Sequence, residues 1–155
     1  MRALAMIVAL SAPVLAAGCR GSADDPTKPA AGTIVLEVES FALKGATVAN
    51  LAGASGGKAV LFEKPDESSA TKEVLLKAGK YEALVYMQAE GEGKNAFYLK
   101  VNGEEARVFP EDYGRLLPTL PLAFTVKADG LVKIELQASE EAGMWLDRVV
   151  IRPGK

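Results

Sequence analysis

An all-β fold, an antiparallel two-sheet β-sandwich of the jelly-roll kind with about nine or ten strands, is what residues 32–152 of this chain predict. Three observations carry that expectation. Apolar and polar residues alternate with period two in segment after segment, the pattern of a strand with one face on a core and one toward solvent. Turn signals built on Gly, Asn and Asp punctuate those segments at short intervals. No window from residue 33 onward carries a long apolar stripe at helical spacing, so the crossover helices of a parallel α/β fold are missing.

In chain order, TIVLEVE sets Ile34, Leu36 and Val38 on one face and Val35, Glu37 and Glu39 on the other. KAVLF follows the glycine pair Gly56-Gly57. The stretch SSATKEVLLKAG could open a short helix with Ser69 as cap and Glu73 behind it, but Val74 is β-branched and Gly79 closes the segment quickly, so residues 71–76 read as a strand. Ala78-Gly79 introduces Lys80 to Ala89, and GEGKN, Gly91 to Asn95, is a loop. AFYLKV places Phe97, Leu99 and Val101 together, and Asn102-Gly103 then turns the chain back into EEARVF as a hairpin. PEDYGRLLPTLP is irregular, because Gly114 and the prolines argue against a helix. LAFTV, the Asp129-Gly130 turn, VKIELQ and the closing WLDRVVI complete the set. The expected core contains Leu36, Phe97, Leu99, Phe124, Ile134 and Leu136.

The 155 residues suit one domain large enough to hold its own core. Lys and Arg number 18 against 20 Asp and Glu, a net charge of −2, and no basic stripe marks a nucleic-acid surface. Histidine is absent, which removes histidine triads and histidine zinc sites. The loop acids Glu92, Glu104, Glu105, Glu111 and Asp112 have no visible partner for the opposed carboxylates that glycosidase chemistry needs, about 5–9 Å apart. LAGASGGK lacks the spacing of a phosphate loop and the Ser or Thr after its lysine. The expectation is that the chain is not an enzyme and has no catalytic residue.

The N-terminus has a separate logic. MRALAMIVALSAPVLAAGC has one positive residue, Arg2, then an apolar run too short for a comfortable membrane span but suited to an export signal. Ala16-Ala17-Gly18-Cys19 resembles the lipobox of bacterial lipoproteins, with Leu15 one place earlier than the large aliphatic residue of most lipoboxes. That resemblance implies cleavage before Cys19 and lipidation of its thiol, the only one in the chain. A plain secretory signal with a free thiol, or an uncleaved anchor, are the alternatives; an exposed unpaired thiol on an exported protein would be an oxidation liability. The expected organisation is a signal peptide at 1–18, a lipidated cysteine and Pro/Asp/Ser/Gly/Ala-rich tether at 19–31, and one domain at 32–152. Such a protein is exported and membrane-anchored, in the periplasm or at the cell surface.

The order LEVES, ASGGKAVLF, KAGKYEALVYMQAEG, FYLKVNGEE, FTVKADGLVKIELQ and WLDRVVI resembles the galactose-binding-like β-jelly-roll carbohydrate-binding modules of the calcium-containing type. By that resemblance, Glu37, Glu39 and Asp147 hold a structural Ca2+, with carbonyl help from the loop Ala54 to Lys58 around Gly57 and Lys58. The residues themselves allow this, since Glu37 and Glu39 stand two apart on a strand and Asp147 lies at period two with the apolar Trp145, Val149 and Ile151. They equally allow the two glutamates to face open solvent and Asp147 to pair with Arg148 or a lysine. The resemblance further implies an oligo- or polysaccharide partner. Asn95 with Lys94, Tyr113 with Asp112, Phe62 or Glu63, and Trp145 are the loop-end candidates, and Tyr86 with Tyr98 forms a second, sheet-face candidate. Two readings result: a membrane-tethered, non-catalytic carbohydrate-binding module, or a structural or protein-interaction β-sandwich lipoprotein without glycan binding. The low aromatic content and the absence of an asparagine in SEEAGM before WLD favour the second.

Overall fold

Twelve strands are described, every pair antiparallel. The structure is a computed structural model describing residues 32–92 and 95–154; Cys19, the signal and tether assigned to 1–31, and Lys94 lie outside the described residues. The strands are β1 (Ile34–Glu37), β2 (Ala42–Lys44), β3 (Ala46–Asn50), β4 (Lys58–Phe62), β5 (Ser69–Leu76) and β6 (Gly79–Gln88). They continue with β7 (Phe97–Val101), β8 (Glu104–Val108), β9 (Leu117–Pro118), β10 (Leu122–Val126), β11 (Gly130–Ala138) and β12 (Met144–Pro153). One sheet runs β10-β6-β12-β4-β3, with β1 added to β12 and β9 to β6; the other runs β2-β5-β11-β7-β8. This is the expected two-sheet sandwich.

The inward rows of both sheets close one core. Phe62, Met87, Leu146, Val149 and Ile151 from the first sheet meet Phe97, Leu99, Ile134 and Leu136 from the second, all fully buried. Phe124 is buried as expected, whereas Leu36 is half-buried and packs against the cluster from the side. Each fully buried side chain of this size contributes about 1.5–3 kcal/mol relative to exposure.

Sheet-to-sheet crossings decide where the sequence pattern fails. Strand β1 stops at Glu37, and a 3-10 turn over Val38–Ser40 carries the chain to the other sheet, closed by Phe41 N–H donating to Val38 O at 3.0 Å and Ser40 Oγ donating to Glu37 O at 2.7 Å. Glu39 is therefore on a turn and not on the first strand. Gly45 returns the chain to the first sheet at φ +60°, where an added Cβ would lie 3.2 Å from Glu67 O. Strands β2, β3 and β9, which the sequence pattern does not show, are short segments at or beside sheet edges, where few residues alternate. Asn102 (φ +50°) and Gly103 (φ +89°) form the expected β7–β8 hairpin turn, whereas Asp129-Gly130 joins strands of different sheets.

Candidate functional site

Two regions gather the polar side chains singled out by sequence. The first lies where β1 ends against β12. Asp147 occupies a β-bulge: Leu146 pairs with Met87 and Arg148 with Tyr86, so one extra residue stands between them. The bulge breaks the period-two reading of this strand. Trp145 falls on the outer face, Val149 and Ile151 on the inner, and Asp147 is re-aimed with 0% of its surface exposed.

Three carboxylates, of Glu37, Glu39 and Asp147, lie in this region. Asp147 Oδ1 accepts the Ser55 N–H at 2.8 Å, and its Oδ2 accepts from Arg148 Nη1. Ser55 Oγ donates to Glu37 Oε1 at 2.7 Å. Glu37 Oε2 and Glu39 Oε2 are both buried with no hydrogen-bond partner among the described residues. Burial pushes the Asp147 carboxyl above its ordinary value; the Ser55 N–H and the Arg148 guanidinium oppose this, and the charges of Glu37 and Glu39 reinforce it. Asp147 thus feels the charges of both glutamates. Yet among the described residues no three such side chains stand gathered around a single point; Ser55 links two of them, its hydroxyl to Glu37 and its backbone N–H to Asp147. Burial of the two glutamate oxygens without a partner among the described residues carries a standing cost.

Ser55 belongs to the loop that the resemblance pointed to, in a 3-10 turn over Ser55–Gly57 where Gly56 (φ +61°) and Gly57 (φ +75°) take left-handed backbone. The described hydrogen bonds from this loop to the acids come from Ser55 and not from Gly57 or Lys58. Gly57 O accepts Leu51 N–H at 3.1 Å, and Lys58 opens β4 opposite Asn50. Carboxylate oxygens such as those of Glu37, Glu39 and Asp147 are the donor chemistry that Ca2+ takes.

The second region is the loop end. Asn95, only 9% exposed, donates from Nδ2 to Tyr113 Oη at 2.8 Å and from its N–H to Glu141 Oε2 at 3.0 Å. Tyr113 N–H donates to Asp112 Oδ1 at 2.8 Å, and the ring remains 41% exposed. Gly114 N–H donates to Ala89 O at 2.8 Å, pinning the loop to the end of β6. Arg107 Nη2 reaches Glu140 at 2.6 Å and Glu141 at 3.4 Å, and its guanidinium lies 5.3 Å from the centroid of exposed Phe109. A groove of about 530 Å³ opens beside this arginine, lined by Phe109, Pro110, Glu111 and Leu120. Asn95, Tyr113 and Asp112 are thus brought together. Arg107, Glu140 and Glu141 were missed; the double acid of SEEAGM and the outward register of Arg107 on β8 were their only signals.

The remaining candidates separate. Tyr86 and Tyr98 cannot share a patch, because β6 and β7 belong to different sheets. Tyr98 pairs with Gln137 and Arg107, whereas Tyr86 carries the Arg148 guanidinium 3.8 Å from its ring centroid. Trp145 is half-buried on the same outer face as Tyr86, opposite Leu61 and Gln88. Phe62 points into the core and is no ligand platform; Glu63 accepts from Thr47 Oγ1 at 2.6 Å.

No family model and no curated protein matches the chain. Solved structures do. A family 35 carbohydrate-binding module from Clostridium thermocellum is 17% identical with a TM-score of 0.64, over 80% of this chain and 100% of that one. The fold resembles that of carbohydrate-binding modules. An exo-β-1,3-galactanase from Phanerochaete chrysosporium, solved with galactose, is 21% identical with a TM-score of 0.65, over 80% of this chain but 30% of that enzyme. The CBM36-1 domain of a multidomain xylanase from the hindgut metagenome of Trinervitermes trinervoides is 18% identical with a TM-score of 0.55, over 80% of this chain and 99% of that one.

Proposed function

We propose that this chain is a non-catalytic carbohydrate-binding module, exported and tethered to a membrane through lipidated Cys19, with one structural Ca2+ at Glu37, Glu39 and Asp147. The observation that carries the sugar reading is the loop end. An exposed Tyr113 ring is held by a nearly buried Asn95 beside Asp112 and Arg107, on a fold resembling modules of that kind. A flat ring set among fixed polar groups is a general form for gripping a sugar's apolar face and hydroxyls. The calcium reading is supported by the unpartnered buried oxygens of Glu37 and Glu39. Bound there, the ion would clip β1 and the turn after it to β12, a structural and not a catalytic task.

A second reading, a protein-interaction or structural lipoprotein without glycan binding, is favoured by one feature. Asn95 is engaged by Tyr113 and Glu141, Arg107 by Glu140 and Glu141, and Asp112 by the Tyr113 N–H, which leaves fewer free groups for hydroxyls. A glycan array with affinity electrophoresis on soluble polysaccharides, run with calcium present, separates the two. Retardation that is lost in Tyr113→Ala supports the sugar module, and silence across the array overturns it.

A further inference from the structure

The acid cluster carries a cation of its own. Arg148 follows the bulged Asp147, and its backbone is the partner of both Glu37 on β1 and Tyr86 on β6. Its Nη1 donates to Asp147 Oδ2 while the guanidinium stacks on the Tyr86 ring, 3.8 Å from the centroid, and the side chain is only 25% exposed. Arginine is always charged, and its planar group combines an aromatic contact on its face with hydrogen bonds along its edge. Tyr86 thus acts as a shelf that holds a fixed positive charge against the cluster. Three carboxylates against one guanidinium leave two negative charges, the complement of a divalent ion. The Asp147 oxygen occupied by Arg148 is also one that an incoming ion would use.

We propose that Arg148 is the residue that sets the cluster's affinity and charge selectivity for a cation. It competes for Asp147 Oδ2, and ion binding releases the guanidinium from the carboxylate. In the ion-free protein, Arg148 limits the repulsion among the acids, so β1 stays docked on β12. With the ion present, the same charge opposes the ligand, and affinity is lower than the three acids alone would give. This rests on the cation reading above, and extends it to a residue outside the carboxylate set.

Calorimetric titration of the full chain with CaCl2 and, separately, TbCl3 tests it, comparing wild type with Arg148→Met and Arg148→Lys. Methionine keeps an apolar stem over Tyr86 and removes the charge; lysine keeps the charge. Arg148→Met should bind calcium about tenfold more tightly, equivalent to about 1.4 kcal/mol, with a larger gain for the trivalent ion, while Arg148→Lys stays within about threefold of wild type. Wild-type binding with no tightening in Arg148→Met overturns the role of Arg148 and leaves the cation site standing. Absence of binding in all three proteins overturns both, and binding by Arg148→Met alone supports the competition outright. If Arg148→Met does not fold, Tyr86→Leu removes the shelf while keeping the charge on a looser tether. It should tighten calcium binding by a smaller factor, and unchanged or weaker binding overturns the proposal.

Discussion

Replacing Ser55 by alanine isolates the hydroxyl that donates to Glu37. In the wild type, Ser55 Oγ donates to Glu37 Oε1 at 2.7 Å, while Glu37 Oε2 and Glu39 Oε2 already lack partners among the described residues. The substitution strands a third carboxylate oxygen in a partly buried site and leaves the backbone donation to Asp147 intact. A hydrogen bond to a charged acceptor contributes about 1.5–3 kcal/mol, so a loss of about 2 kcal/mol is expected. For a domain of this size each kcal/mol moves Tm by roughly 3–5 °C, giving a drop of roughly 6–10 °C. Urea and thermal unfolding followed by far-UV circular dichroism in a chelator measure it, with the urea slope checked for constancy. A loss below about 0.5 kcal/mol would refute the reasoning, because Glu37 would then be as well served by water as by Ser55.

Phe97→Ala should cost about 3–5 kcal/mol in the same unfolding assay, since Phe97 is fully buried between the sheets and its removal leaves a cavity. The pH dependence has a defined sign. The Asp147 carboxyl is raised above its ordinary value by burial, so its protonated form favours the native state, and its contribution is lost as pH rises through the raised value. In a chelator, wild-type stability should therefore gain from Asp147 on acidification through that window, and Asp147→Asn should lose that component of the slope. Cys19→Ser should move the protein from the membrane to the soluble fraction with its circular dichroism unchanged. Persistence on membranes after a high-salt wash would point to an uncleaved apolar segment instead.

Strand pattern and loop chemistry were legible to different depths. Strands β7 and β11 announce themselves because their five and nine residues alternate between a buried and a more open face. Strands β2 and β9, of three and two residues, carry too little alternation to register. Among site residues, Asn95, Tyr113 and Asp112 lie within a loop-rich tract whose polar composition draws attention. Arg107, Glu140 and Glu141 look like ordinary surface charges until the fold sets β8 beside the turn before β12.

The family resemblance singled out Glu37, Glu39 and Asp147 as a group, while the sequence by itself determined the fold class, the turn at Asn102-Gly103 and most of the core. These follow from period-two burial and from local backbone preference, both properties of neighbouring residues. Only the tertiary structure decided that Glu39 stands on a 3-10 turn, that a bulge turns Asp147 inward, that Ser55 bridges it to Glu37, and that Tyr86 meets Arg148 and not Tyr98. Each of those depends on which strands cross between sheets and on a register shift of one residue. Alternation along a single strand contains no information about either.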